Sequence, residues 1–160
     1  MALTREKSKG RKSTGRFAGI PHAVMNHPDY IALSANAVRL LLEMARQYNG
    51  HNNGDLSAAF SVLKKRGFKS KTTLAKLLRE LEQHDLIRCS RPWRFLNPGS
   101  QCALFALTWL AVDECPGKGL ELKPTRTPLR SFTAEIIKMP SPVSVTTGAN
   151  SCDQRGKKHG

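Results

Sequence analysis

Hydrophobic positions are sparse at both ends of the chain and crowded between about residues 17 and 112, and within that stretch their spacing changes from helical to extended. Ile20-Pro21 opens a segment holding Val24, Met25, Tyr30, Ile31 and Leu33, broken at His27-Pro28 because the residue before a proline is pushed out of the helical region. Two short helical turns are predicted there. Ser34 then offers a side-chain cap, and Leu33 stands where it would pack on Val38 as a hydrophobic staple. Val38, Leu41, Leu42 and Ala45, with Ala37, Met44 and Tyr48 beside them, make a broad apolar stripe that leaves Arg39, Glu43, Arg46 and Gln47 outside it. Asn49-Gly50 ends this first long helix. His51 to Asp55 is turn chemistry, and Leu56 opens one or two residues of strand.

Ser57 is the expected cap of a second helix running to about Arg66, with Ala59, Phe60, Val62 and Leu63 apolar and Gly67 as its stop. Ser70 caps a third, in which Leu74, Leu77, Leu78 and Leu81 recur at helical spacing. Leu86 to Cys89 reads as a strand, Arg91 to Ser100 as a loop because of Pro92, Pro98 and Gly99, and Cys102 to Leu110 as a buried strand pairing with the first. After Cys115 prolines and glycines break any long element, although Phe132 to Met139 suits a turn or two of helix. The fold class expected is therefore α+β, three helices and a two-stranded hairpin in one domain over residues 17–115. It is flanked by a disordered basic arm (1–16) and a Pro/Gly-rich, mostly disordered basic tail (116–160).

Charge sharpens this picture. The chain carries 26 Lys+Arg against 12 Asp+Glu, and the excess per residue is greatest at its two ends. Within the domain, Lys64, Lys65, Arg66, Lys69, Lys71, Lys76 and Arg79 follow one another with no acid before Glu80. Like charges so close together repel, and a polyanionic partner is the expected compensation. No apolar run approaches the roughly 18 residues of a membrane span, and Met1 to Arg16 lacks the apolar core of a secretory signal. A cytoplasmic, nucleoid-associated protein is expected. Cys89, Cys102, Cys115 and Cys152 are too widely spaced for a zinc finger and are read as reduced thiols, with Cys89 and Cys102 facing each other across the hairpin.

The order helix, short strand, helix, Gly-containing turn, helix, hairpin resembles the winged helix-turn-helix DNA-binding domain over about residues 17–112. The most specific stretch runs from Asn53 to Ile87, where NNGDLS leads through a short helix and turn into SKTTLAKLLRELEQHDLI. It is similar to winged-helix regulators and replication-associated proteins of phages, plasmids and integrated elements. His84-Asp85 replaces the glycine usual before "LI", at some cost in a left-handed conformation. The resemblance implies that the third helix reads a DNA major groove. Helical spacing turns Thr72, Lys76, Arg79 and Gln83 away from the leucines, while Ser70, Lys71 and Thr73 sit in the first turn, where free N–H groups and the helix dipole favour a phosphate.

The wing would be Arg91 to Leu96, with Arg91 and Arg94 along a phosphate backbone or in a minor groove and Trp93, Phe95 and Leu96 folded back over the core. Catalytic and metal chemistry find no support: the histidines have no acidic or cysteine partner at ligand spacing, no phosphate loop is present, and Glu80, Glu82 and Asp85 read as the wet side of the third helix. No cofactor and no enzymatic activity are expected. The functional expectation is double-stranded DNA binding by a transcriptional regulator of a mobile element. One alternative is a replication initiator or accessory protein, touching a replication or transcription protein through Lys123 to Pro128; another is an interaction module binding an acidic protein. With no long flanking helices, a monomer or weak homodimer is expected.

Overall fold

Two short helices, α1 (His22–Met25) and α2 (Pro28–Ile31), open the computed structural model, which describes residues 15–96 and 99–133. Most of the arm 1–16, the helical turn expected over 132–139 beyond residue 133, and the final eighteen residues lie outside the described residues. Then come α3 (Ala35–Gln47), β1 (Leu56–Ser57), α4 (Phe60–Lys64), α5 (Lys71–Gln83), β2 (Ile87–Arg91), β3 (Arg94–Phe95), β4 (Ser100–Gln101) and β5 (Leu104–Leu107). The chain is α+β. β5 is central in an antiparallel sheet of order β1-β5-β2, and β3 and β4 pair separately as the outer part of the same long hairpin.

Both long helices start at their serines: Ser34 Oγ accepts from the Ala37 N–H and Ser70 Oγ from the Thr73 N–H, each at 3.3 Å. α3 buries Ala37, Leu40, Leu41, Met44 and Ala45, so its apolar face includes Leu40 and turns Leu42 outward, a rotation of the expected stripe. α5 buries Leu74, Leu77 and Leu81, with Leu78 only half-buried. These side chains meet Leu56, Leu63, Leu86, Ile87, Phe105 and Leu107 in one core.

The helix expected to run from Ser57 to Arg66 is shorter, because Ser57 belongs to β1. It stands opposite Leu104, and its backbone N–H and C=O are both taken at 2.9 Å by the side-chain amide of Gln47, which closes the open edge of the strand. α4 ends in a left-handed turn at Gly67 (φ 92°), where the Phe68 N–H returns to the Leu63 carbonyl. A Cβ at Gly67 would lie 2.6 Å from Nη2 of Arg39, which donates to the Arg66 carbonyl. α5 ends the same way on Asp85 (φ 51°): the Leu86 N–H reaches the Leu81 carbonyl and the Asp85 N–H that of Glu82. Thr108 Oγ1 donating to the Asp85 carbonyl (2.8 Å) and Arg88 beside its carboxylate (2.7 Å) hold this strained residue in place.

The sheet ends on Asn53, a fully buried side chain. Its Oδ1 accepts from the Leu107 N–H (2.7 Å), and its Nδ2 lies within 3.2 Å of the carbonyls of Leu107, Leu110 and Ala111. The tail boundary at 115/116 also moves, because residues 116–133 form an irregular strap across the domain. The N–H groups of Glu121 and Leu122 donate to the Ser90 carbonyl, Thr125 to Val112 and Arg130 to Thr108, and Ala111 bridges Pro128. Prolines exclude regular structure here without preventing order, since side chains and carbonyls of the domain satisfy the backbone. The strap is latched by Arg130, whose guanidinium donates to the Asp29 carboxylate (2.5 Å) and to the His84 carbonyl (2.8 Å) and stacks on Phe132 at 4.5 Å.

Asn53→Ala is expected to cost at least about 2 kcal/mol, because it strands a buried N–H and several carbonyls. Asn53→Asp, nearly isosteric, does no better near pH 7, since its second oxygen would face three carbonyl oxygens; thermal unfolding of both variants checks this. The latch gives a pH signature. Arg130 above all, followed by the hydrogen bond to His84, holds the Asp29 carboxyl below its ordinary 3.8 against the opposing effect of burial. Its contribution is therefore fully present above the unfolded value and fades as pH falls through the lower folded one. Arg130→Ala should lower Tm at pH 7 by several degrees, and the gap to the parent should narrow as the pH is lowered below 3.8, leaving the share owed to the His84 carbonyl and the Phe132 ring.

Candidate nucleic-acid interface

α5 offers its outward side as the spacing predicts. Thr72, Lys76, Arg79 and Gln83 are exposed along it, and Ser70, Lys71 and Thr73 are exposed at its start, with Ser70 engaged as the cap. Lys71 Nζ stands 5.8 Å over the Phe60 ring, which ties the first turn of α5 to α4. A cleft of about 200 Å³ beside that turn is lined by Asn36, Arg39, Lys69, Ser70 and Thr73. Lys64, Lys65, Lys69, Lys71, Lys76 and Arg79 are all exposed, and none joins an ion pair among the described residues.

The seventh cation of that run is committed elsewhere. Arg66 makes two bonds to Glu43 (2.9 and 2.8 Å), which Arg46 also reaches, and this holds the Glu43 carboxyl below its usual range. Glu80 is not on the wet side of α5 as expected. Its carboxylate accepts from the Ser34 N–H (2.6 Å) and Oγ–H (2.9 Å), joining α5 to the start of α3. Asp85 is likewise a structural turn residue, and Glu82 alone of the three stays exposed.

The wing departs most from expectation. A bulge between Cys89 and Arg91 leaves Ser90 without a cross-strand partner, and both Ser90 and Arg91 are buried. Ser90 Oγ donates to the Gly54 carbonyl (2.5 Å), and the Arg91 guanidinium donates to the carbonyls of Cys102 (2.8 Å) and Lys118. Arg91 is a fastener between hairpin and strap, with no face left for a phosphate. Arg94, about half exposed, pairs with Glu121 of the strap. Cys89 stands opposite Phe105 rather than Cys102, which lies 3.9 Å from Ser57 Oγ and from Arg91 Nη2.

Trp93, Phe95 and Leu96 do not fold back over the core: they are 61%, 73% and 45% exposed. The base of the hairpin is covered by the strap, whose Glu121 and Leu122 N–H groups donate to the Ser90 carbonyl. The acids and histidines also differ from the scattered arrangement expected. Asp29 lies 3.3 Å from the Nδ1 atoms of both His27 and His84, with Arg130 on the same carboxylate. This cluster serves the latch, and no group of three such residues among those described could hold a metal ion. No described helix is long and apolar enough to cross a membrane.

Sequence spacing placed the α5 side chains but missed the apolar groove beside them, because its walls come from segments far apart in the chain. About 610 Å³ in volume, it lies between the α4 entry, α5 and the hairpin, with Phe60, Lys71, Leu78, Trp93 and Phe105 on its walls. Comparison with protein-family models, curated proteins and solved structures finds no match for this chain.

Proposed function

We propose that this protein is a winged-helix double-stranded-DNA-binding protein that regulates transcription of a mobile genetic element, with α5 as the helix laid in the major groove. The observation that carries the reading is the exposed, acid-free cation face from Lys64 to Arg79, on and beside a helix whose opposite side is packed into the core. Lys76 and Arg79 project where base edges and phosphates would lie, Thr72 and Gln83 extend the same side, and Lys71 and Thr73 meet a phosphate at the helix start. The long β2/β5 hairpin with its β3/β4 tip is the wing. Lys123 to Pro128, the tail segment expected to touch a replication protein, has part of its backbone bonded to the domain through Thr125 and Pro128, which favours the regulator over the replication accessory. Footprinting on DNA around the gene separates the two: protection of a promoter fits regulation, and protection of iterated origin repeats fits replication.

Lys76→Ala and Arg79→Ala are each expected to weaken duplex binding by about 1–3 kcal/mol with Tm nearly unchanged. Leu77→Ala, on the buried side, should instead cost roughly 2–5 kcal/mol of stability. Parental affinity in both surface variants would remove α5 from the interface.

Salt dependence supplies an independent measure. With Arg91 buried and Arg94 paired, Lys71, Lys76 and Arg79 are the cations that α5 itself contributes to counterion release, beside Lys64, Lys65 and Lys69. Replacing all three by alanine should make the slope of log K against log[salt] shallower by about 2.7, equivalent to roughly 40-fold between 50 and 200 mM salt. Titrations of the parent and the triple variant on the same duplex check it.

A further inference from the structure

The groove between α5 and the hairpin has a composition that packing alone does not account for. Its walls are aromatic and aliphatic, with Phe60, Leu74, Leu78, Trp93 and Phe105 among the lining residues. It carries one cation, Lys71, and no carboxylate, and Ser61 and Ser100 put hydroxyls on its rim. Its volume of about 610 Å³ is that of a small-molecule site. Trp93 and Phe95, two residues apart on the hairpin with ring centroids 6.5 Å apart, present their rings to solvent.

Resting on the duplex-binding reading above, we propose that this groove takes an unpaired nucleobase stacked on Trp93, so that the preferred ligand is a duplex interrupted by a single-stranded step. An apolar slot with an aromatic wall suits the face of a base and is indifferent to which base it is. The hydroxyls of Ser61 and Ser100 suit its polar edge. Lys71 supplies the charge complement: a base in the groove brings its phosphodiester to the first turn of α5, the same turn that meets a duplex phosphate. An apolar protein segment would fill the slot equally well but gives Lys71 no counter-charge.

The test compares the full chain on a blunt 20-base-pair duplex and on the same duplex ending in a fork of unpaired thymidines. The expected result is fork binding tighter by about 5- to 150-fold, the range of one stacked base. Trp93→Ala should abolish that preference, bringing the fork-to-blunt ratio to one with Tm unchanged, and Trp93→Phe should restore most of it. The fork, and not the blunt duplex, should quench tryptophan emission, with Trp109, 7% exposed in the core, as constant background. Equal binding of fork and blunt duplex by the parent, or a fork preference that survives Trp93→Ala, overturns the inference and leaves the duplex reading intact. Trp93→Ala that alters the sedimentation coefficient without altering the fork-to-blunt ratio assigns the groove to a second copy of the chain and also overturns it. Failure of the parent to hold blunt duplex at all removes the duplex reading, and the inference falls with it.

Discussion

The buried amide of Asn53 is the contact on which the arrangement of the sheet depends. One side chain accepts from the Leu107 N–H and donates toward three carbonyls between Leu107 and Ala111, while its own N–H reaches the Asp113 carboxylate at 2.7 Å. No regular ladder could serve those groups, because the chain is leaving β5 there and turning back as the strap. An unsatisfied polar group in that position would cost more than most single apolar contacts contribute. By ending β5 at a fixed residue, Asn53 fixes the register of the central strand against β1 and β2 and the point from which the strap crosses to Ser90 and Asp29. Gly54 beside it, at φ 129°, leaves room for Leu120 of the strap to close on the turn.

The strap explains why the hairpin keeps both its reach and its exposed aromatics. Domain and hairpin base are covered by residues 116–133, which bond to Ser90, Arg91 and Arg94, so the aromatics at the hairpin tip stay largely exposed. Arg91 illustrates the trade. A guanidinium offers five donors in a rigid fork, which suits a phosphate but suits adjacent carbonyls equally well, and the bulge at Ser90 carries it to the carbonyls of Cys102 and Lys118.

Local chemistry was legible in the sequence wherever one residue decides it. The Ser34 and Ser70 caps, the Gly67 stop, the left-handed strain at Asp85 and the leucine face of α5 all stand where spacing and cap chemistry put them. What was not legible depends on partners distant in sequence. Ser57 has the chemistry of a cap and became a strand residue because Gln47 and β5 claim its backbone. Glu80 follows the polar period of α5 yet turns to Ser34, and Asp29, ordinary in its own segment, meets an arginine a hundred positions away. Proline and glycine content after Cys115 argued against any long element, and none stands in residues 116–133, but it carried no information about docking, since an irregular backbone is ordered through bonds that its own sequence does not announce.

The same long-range contacts account for the electrostatics of the candidate interface. Domain carboxylates are mostly committed: Asp29 to Arg130, Glu43 to Arg66 and Arg46, Asp55 to Lys118, Glu80 to Ser34, Asp85 to Arg88 and Asp113 to Asn53. Each lies where it fastens one element to another, and several neutralise cations that are structural themselves. The modest net charge of the domain is therefore divided in space, with the acids spent inside the scaffold and the lysines from Lys64 to Lys76, with Arg79, left facing solvent together. Exposed like charges at this density gain nothing from the fold and repel one another, an effect that salt only partly screens. A polyanion laid along α5 removes that repulsion and releases its own counterions in doing so, which is the physical ground on which the DNA-binding proposal stands.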